Sequence, residues 1–382
     1  MTQPRLDVAE VLRRYQDAYL ATHAASRQQR RVLDDLMACR TAALGGPLRR
    51  CGDCGHERIA YNSCRNRHCP KCQGSKQAAW LEARRADLLE VPYYHVVFTL
   101  PHGLDPLALQ NKRLLYGLLF RAASETLLAI ARDEQHLGAK IGFTAVLHTW
   151  SQTLLHHPHL HCVVPAGGLS ADEDRWIAAS ERFFLPVRVL SRLFRGKYLA
   201  YLRKAYQAGR LVLAGRLKDL AQPRAWRAFV EALGKIDWVV YAKAPFGSAE
   251  QVLKYLARYT HRVALSNRRL VSLAEGQVAL RYKDYRRGRR ERVMRLEAVE
   301  FIRRFLLHVL PKGFVRIRHY GLLSNRCRKE KLRLCRRLLG TVVEPEADTE
   351  PAKIPICARP VSSVLCASWP SCRPAERVPN PA

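Results

Sequence analysis

Hydrophobic and polar positions alternate with two periods along this chain, and the switch between them marks its elements. Leu6, Val8, Val11, Leu12 and Tyr15, then Val32, Leu33, Leu36 and Met37, recur at helical spacing and predict two amphipathic helices between about Leu6 and Cys39. Gly45-Gly46-Pro47 breaks that pattern. Tyr94 to Leu100, β-branched and aromatic, predicts a buried strand. A helical region follows from about Pro106 to Asp133, with Leu114, Leu115, Leu118, Leu119, Ala122 and Ala123 on one wide apolar face. Ile141 to Thr149 and the run from His159, closed by Gly167-Gly168, predict two more strands. Residues 171–235 turn helical and basic again and read as an insertion. Their aromatics (Phe183, Phe184, Phe194, Tyr198, Tyr201) either form a small core of their own or stack on unpaired bases.

Further on, Asp237 to Tyr241 predicts a strand that leads through a turn at Pro245-Phe246-Gly247 into a helix. Ser248 and Gln251 form a capping box there, and Val252, Leu253 and Leu256 an apolar stripe. Val263 to Leu265 is compatible with another strand, and Gln277 to Tyr282 alternates. Ala298 to Val309 and Arg326 to Leu339 predict helices. After Gly340 the pattern fades, and eight of the 20 prolines fall in the last 42 residues. That composition predicts a mostly disordered tail. The resulting division is 1–90, 91–340 with an insertion at about 171–235, and 341–382.

Charge sharpens the picture. The chain has 382 residues, 65 of them Lys or Arg and 33 Asp or Glu, for a formal net charge of +32. The cations are spread along the patterned body, which points to a polyanionic partner, DNA before a membrane surface. No stretch approaches the ~20 apolar residues that span a bilayer. No apolar signal-peptide core is present near Met1 to Arg14. The expected location is the cytoplasm, at the nucleoid, where the 12 cysteines serve as thiols or metal ligands.

Three motifs carry chemistry. Cys51-Gly-Asp-Cys54 and Cys69-Pro-Lys-Cys72 are two Cys-x-x-Cys knuckles fourteen residues apart, a zinc spacing. His56, Cys64 and His68 lie between them and could replace one of the four or form a second site. In His157-Pro-His-Leu-His-Cys-Val-Val164, strand alternation puts His159 and His161 on one face and Leu160 on the other, a pair suited to a metal ion. In Lys254-Tyr-Leu-Ala-Arg-Tyr-Thr-His-Arg262, Tyr255 and Tyr259 lie one helical turn apart. Arg258, His261 and Arg262 coat that helix with cations suited to phosphate. Arg286, Arg287, Arg289 and Arg290 crowd the tip of a predicted hairpin, where a phosphate would relieve their repulsion.

Together these motifs resemble the two-tyrosine HUH transposases of rolling-circle bacterial insertion sequences, the IS91 family. The resemblance rests on Cys64 to Cys72, Val97-Phe-Thr-Leu-Pro101, His157 to Val164, Tyr255 to Arg262 and Arg316-Ile-Arg-His-Tyr-Gly-Leu-Leu323, in the expected order. It implies an α+β fold: an antiparallel-sheet HUH nuclease domain with a ferredoxin-like (RRM-like) core and a helical insertion, preceded by a small zinc-binding domain. By motif match, His159 and His161 would hold a catalytic Mg²⁺ or Mn²⁺, and Tyr255 and Tyr259 would be nucleophiles. A third ligand is expected, with His95, Gln152 and His156 as candidates. The implied partner is single-stranded DNA of transposon ends and target, with no small-molecule substrate and no membrane. The rivals are a rolling-circle plasmid or phage replication initiator and a non-catalytic zinc-dependent DNA-binding regulator.

Overall fold

A computed structural model describes residues 6–51, 54–180, 184–246, 251, 264–284, 288 and 290–341, with side chains at 73–77 and 244–246 left aside. The tyrosine-bearing segment, with Tyr255, Arg258, Tyr259, His261 and Arg262, lies outside the described residues. So do Arg286, Arg287, Arg289, the zinc loop's Gly52-Asp53 and the tail from Val342.

The centre is a five-stranded antiparallel sheet. Its strands are β3 (Tyr93–Thr99), β4 (Gly142–Trp150), β5 (His156–Pro165), β8 (Val240–Phe246) and β12 (Ile317–Gly321), in the spatial order β12-β4-β5-β3-β8. The histidine strand β5 is central and pairs with both β3 and β4. Alternation sorts its side chains: Leu160, Cys162 and Val164 enter the main core, while His159 and His161 take the other face. Phe143, Ala145 and Leu147 of β4, and Tyr94, Val96 and Phe98 of β3, join the same core.

Helices cover that apolar face. α4 (Asp105–Gln110) and α5 (Lys112–Arg132) are two helices where the pattern predicted one. Asn111 breaks them: its amide donates to the carbonyls of Leu107 and Val212. By length and composition α5 is the one described helix able to cross a bilayer, which corrects the expectation that no stretch comes near. Here its apolar residues, including Leu115, Leu119, Phe120 and Leu127, are buried in the main core. α6 (Val187–Gln207) and α7 (Pro223–Lys235) make up most of the predicted insertion. Its aromatics Phe184, Phe194 and Tyr198 are neither a separate core nor a free stacking surface, because they are buried with the sheet's own apolar side chains.

A second core joins distant parts of the chain. α1 (Val8–Thr22) begins at Asp7, whose carboxylate accepts from the Glu10 amide; α2 (Arg27–Ala38) begins at a Ser26/Gln29 capping box. Their apolar faces pack with the antiparallel sheet β9 (Leu270–Ala274), β10 (Gln277–Asp284) and β11 (Arg290–Glu297), and with α8 (Ala298–Leu307). Gln29 Nε2 also donates to the Leu306 carbonyl. β9 was not predicted, and Ala264-Leu265 lies in no strand.

β1 (Leu48–Arg50) and β2 (Glu57–Ile59) form an exposed hairpin, and β6 (Gly167–Leu169) pairs with β7 (Trp176–Ala178). α3 (Gln73–Arg85) follows the last zinc knuckle, and α9 (Arg328–Leu338) ends the described chain. At the end of β12, Gly321 has φ +58° and faces Gly142 across the ladder. A Cβ there would lie 1.9 Å from the Ile141 carbonyl oxygen, so the Arg-His-Tyr-Gly motif needs its glycine.

Candidate metal centres and nucleic-acid interface

Three imidazoles meet on the face of the sheet turned away from the main core. His159 and His161 come from β5, and the third is His148 of β4, directly opposite His159 in the ladder. One ligand atom from each lies within 4.8 Å of the others. His159 Nε2 is 3.0 Å from His161 Nε2, and the His148 and His161 rings meet edge to face at 4.4 Å. His148 also stacks on Trp150 at 4.3 Å.

The hydrogen bonds assign tautomers. His159 Nδ1 lies 2.7 Å from the His157 carbonyl oxygen, which only accepts. The proton therefore sits on Nδ1, and the Nε2 lone pair faces the cluster. Behind His161, its Nδ1 is 2.8 Å from His95 Nε2 on β3. Burial holds these rings neutral: His159 is pushed down to about 4, His95 to about 3, and His161 well below the usual imidazole range. Three imidazoles gathered this way, His159 with its lone pair turned inward and His161 backed by a further imidazole, are a donor set with the outer support that a divalent cation can take.

None of the three sequence candidates joins this group of imidazoles. His95 supports His161 from behind. His156 lies on the opposite face, between Tyr116 Oη (2.8 Å) and Asp105 Oδ1 (2.8 Å). Gln152 sits in the β4–β5 turn, where its Oε1 accepts from the Lys283 amide. The usable signal was His148 itself, a histidine within the Ile141 to Thr149 run whose pattern predicts a strand.

That turn is fixed by the second core. Arg304 Nη1 donates to the Thr153 carbonyl at 3.0 Å, and Arg269 reaches the Gln152 carbonyl. His308 Nε2 donates to the Leu154 carbonyl at 3.0 Å, which leaves Nδ1 to accept from the Thr149 hydroxyl at 3.2 Å. Burial pushes His308 down to about 3. The unfolded chain protonates this ring near 6.5, the folded chain only near 3. Its contribution is therefore whole above about pH 6.5 and lost as pH falls toward 3, at up to about 1.4 kcal/mol per unit. Denaturation midpoints should drop between pH 7 and pH 4.5, and drop less in His308→Gln. Equal drops would discount this ring.

The second metal group is Cys39, Cys64, Cys69 and Cys72, with sulfur atoms within 4.8 Å of one another and Cys64 Sγ 3.7 Å from Cys72 Sγ. Cys39 ends α2, and Cys72 precedes α3. Hydrogen bonds from Cys64 and Cys69 hold the Cys72 thiol well below the usual thiol range, while contacts to Cys64 and Cys72 and burial push Cys69 up. Four soft donors in one buried group are the tetrahedral zinc set. This foursome differs from the expected Cys51, Cys54, Cys69 and Cys72. Cys51 and Cys54 lie on the exposed β1–β2 hairpin, outside the group. Lys71 pairs with Asp7 at 2.8 Å, which ties the zinc loop to the cap of α1. His68 is no ligand of it: its Nε2 accepts from the Leu310 amide, and Nδ1 meets Asn66.

Of the predicted DNA contacts, Arg290 is described, at the exposed start of β11. The Arg316–Tyr320 cluster splits by alternation. Arg318 lies over the Phe120 ring at 4.1 Å and Tyr320 stacks on Phe143, while His319 meets Thr144 Oγ1 on the histidine face.

Two family models match the chain: "Transposase zinc-binding domain" over residues 11–100 and "Putative transposase" over residues 142–331. The protein named "Putative transposase y4qJ" of Sinorhizobium fredii is 58% identical over 348 residues, covering 91% of this chain and 87% of that one. The chain belongs to the IS91 family of transposases. The transposase for insertion sequence element IS801 of Pseudomonas savastanoi pv. phaseolicola is 29% identical over 76% of this chain and 69% of its own. Among solved structures, the conjugative relaxase TrwC in complex with OriT DNA aligns over 65% of this chain and 74% of its own, at 14% identity and a TM-score of 0.24, too low to carry an argument. This transposase thus pairs an N-terminal zinc-binding region with a mixed helix and antiparallel-sheet body that bears the histidine cluster.

Proposed function

We propose that this transposase cuts and rejoins single-stranded DNA through a 5′-phosphotyrosine intermediate during rolling-circle transposition, in the bacterial cytoplasm. The observation that carries the reading is the His148/His159/His161 cluster on the sheet face opposite the main core, in a chain of a transposase family. The nucleophiles would be Tyr255 and Tyr259. His148, His159 and His161 would hold a divalent cation, which would supply Lewis-acid polarisation of a non-bridging phosphate oxygen. The phenol oxygen bonds to phosphorus as its proton leaves, and the 3′ oxygen departs and takes up a proton. The ester retains the bond energy, so rejoining by a 3′-hydroxyl needs no ATP. Two tyrosines suit a process with two cleavages, one holding the first 5′ end while the other opens the next junction.

The test is incubation with labelled single-stranded DNA and Mn²⁺ or Mg²⁺, followed by denaturing electrophoresis. A covalent adduct is expected, and Tyr255→Phe/Tyr259→Phe should abolish it while DNA binding survives. No adduct under any metal condition would instead favour a non-catalytic DNA-binding protein. An all-imidazole donor set favours Mn²⁺ over Mg²⁺, so half-maximal cleavage should need less Mn²⁺. With a net charge of +32, DNA affinity should also fall steeply with salt. A flat response would detach that charge from DNA.

A further inference from the structure

Beside the histidine cluster, on the same side of the sheet, lies a small cavity of about 30 Å³. Half of its lining is apolar or aromatic, Trp80 and Leu323 among it, and the polar half is Arg84 of α3, Arg328 of α9, Asp87, Thr144 of β4 and His319 of β12. Thr144 is four residues from His148 along β4, about 13 Å at strand rise; Val163, also in the lining, is two residues from His161, about 7 Å. A strand of DNA at the imidazoles would reach this cavity within a few linkages.

Charge and size select the occupant. Arg84 Nε lies 3.0 Å from Asp87 Oδ2, and Arg328 Nε 3.4 Å from Asp87 Oδ1, so two guanidiniums share one carboxylate. Among the described residues, the buried Arg84 Nε and Asp87 Oδ2 make no hydrogen bond despite that proximity. One positive charge is left over in a half-closed site, next to the Thr144 hydroxyl. A water needs roughly 10–15 Å³ of such space, so this cavity takes two or three oxygens and excludes a base.

We infer that Arg84 and Arg328 form a subsite for one backbone phosphate of the single strand, with Asp87 as the internal anion that the phosphate displaces. The inference rests on the single-strand reading above. The alternative role of the three side chains is a staple between α3 and α9, and the two roles predict opposite signs.

Binding of a fluorescein-labelled oligothymidylate to the full chain, followed by anisotropy across a salt series, separates them. Arg84→Gln/Arg328→Gln should weaken binding about tenfold, the scale of one charged hydrogen-bonded contact. It should also flatten the log-affinity against log-salt slope by about 0.7, one phosphate's share for a single strand. Asp87→Asn should tighten binding severalfold, because it removes the competing anion. Arg84→Lys, which keeps the charge, should hold the slope and serves if the double variant fails to fold. If Asp87→Asn weakens binding in parallel with the arginine variants, or the slope does not move, the subsite is overturned and the parent reading stands. If the unmodified chain binds no single strand at all, both fall together.

Discussion

His148→Ala is expected to abolish covalent adduct formation as completely as His159→Ala or His161→Ala, a loss of at least about a hundredfold. His148 faces His159 across the β4–β5 ladder, and its ring meets His161 edge to face. Its removal would leave two imidazoles for the proposed cation and open a gap against Trp150, on which it stacks. His95→Ala should cost less, about ten- to a hundredfold, because its ring meets the group only through His161 Nδ1. His156→Ala should leave the metal affinity alone, since that ring lies on the opposite face with Tyr116 and Asp105. Adduct yield over a Mn²⁺ titration, with single-strand binding as control, ranks the variants. A fully active His148→Ala would remove β4 from the reacting centre.

The second large effect concerns zinc. Cys39→Ser or Cys64→Ser should release the ion and loosen the packing around α1 and α2. Cys51→Ser/Cys54→Ser should retain an ion at the four-sulfur group. The cluster lies in the same core as Val11, Leu12, Leu33 and Phe301. Structural zinc contributes roughly 10–16 kcal/mol of binding free energy in small domains, so losing one ligand exceeds any single apolar truncation. Metal content by atomic absorption and protease resistance of the N-terminal helices read both outcomes. A zinc-free Cys51→Ser/Cys54→Ser chain would return ligation to that knuckle.

These two cases show what local pattern can reveal. His159 and His161 were legible because strand alternation alone puts them on one face. His148 was a lone histidine in an apolar strand, and it acquires meaning only through the register that sets it against His159. Cys69-x-x-Cys72 was legible, but its partners were not the nearest matching spacing. Cys39 joins from the end of a helix thirty residues away, with no motif around it. The strand edges were close: β3 and β4 begin and end within a residue of the pattern, whereas β8 starts three residues later than predicted. The breaking of the long helix at Asn111 escaped because its cause, the Val212 carbonyl, is a hundred residues distant. The phenol pair, the feature most specific to the resemblance, lies outside the described residues.

The sharing of one apolar interior by α1, α2 and the region from Ala264 to Val309 sets a timetable for biosynthesis. The first helices leave the ribosome with their oily sides bare, and the set of packing partners is complete only roughly 270 residues after α2. At about 5–20 residues per second, that wait lasts some 15–55 s. A copy truncated before Ala264 would lack that whole side of the interior and leave the apolar faces of α1 and α2 only partly covered.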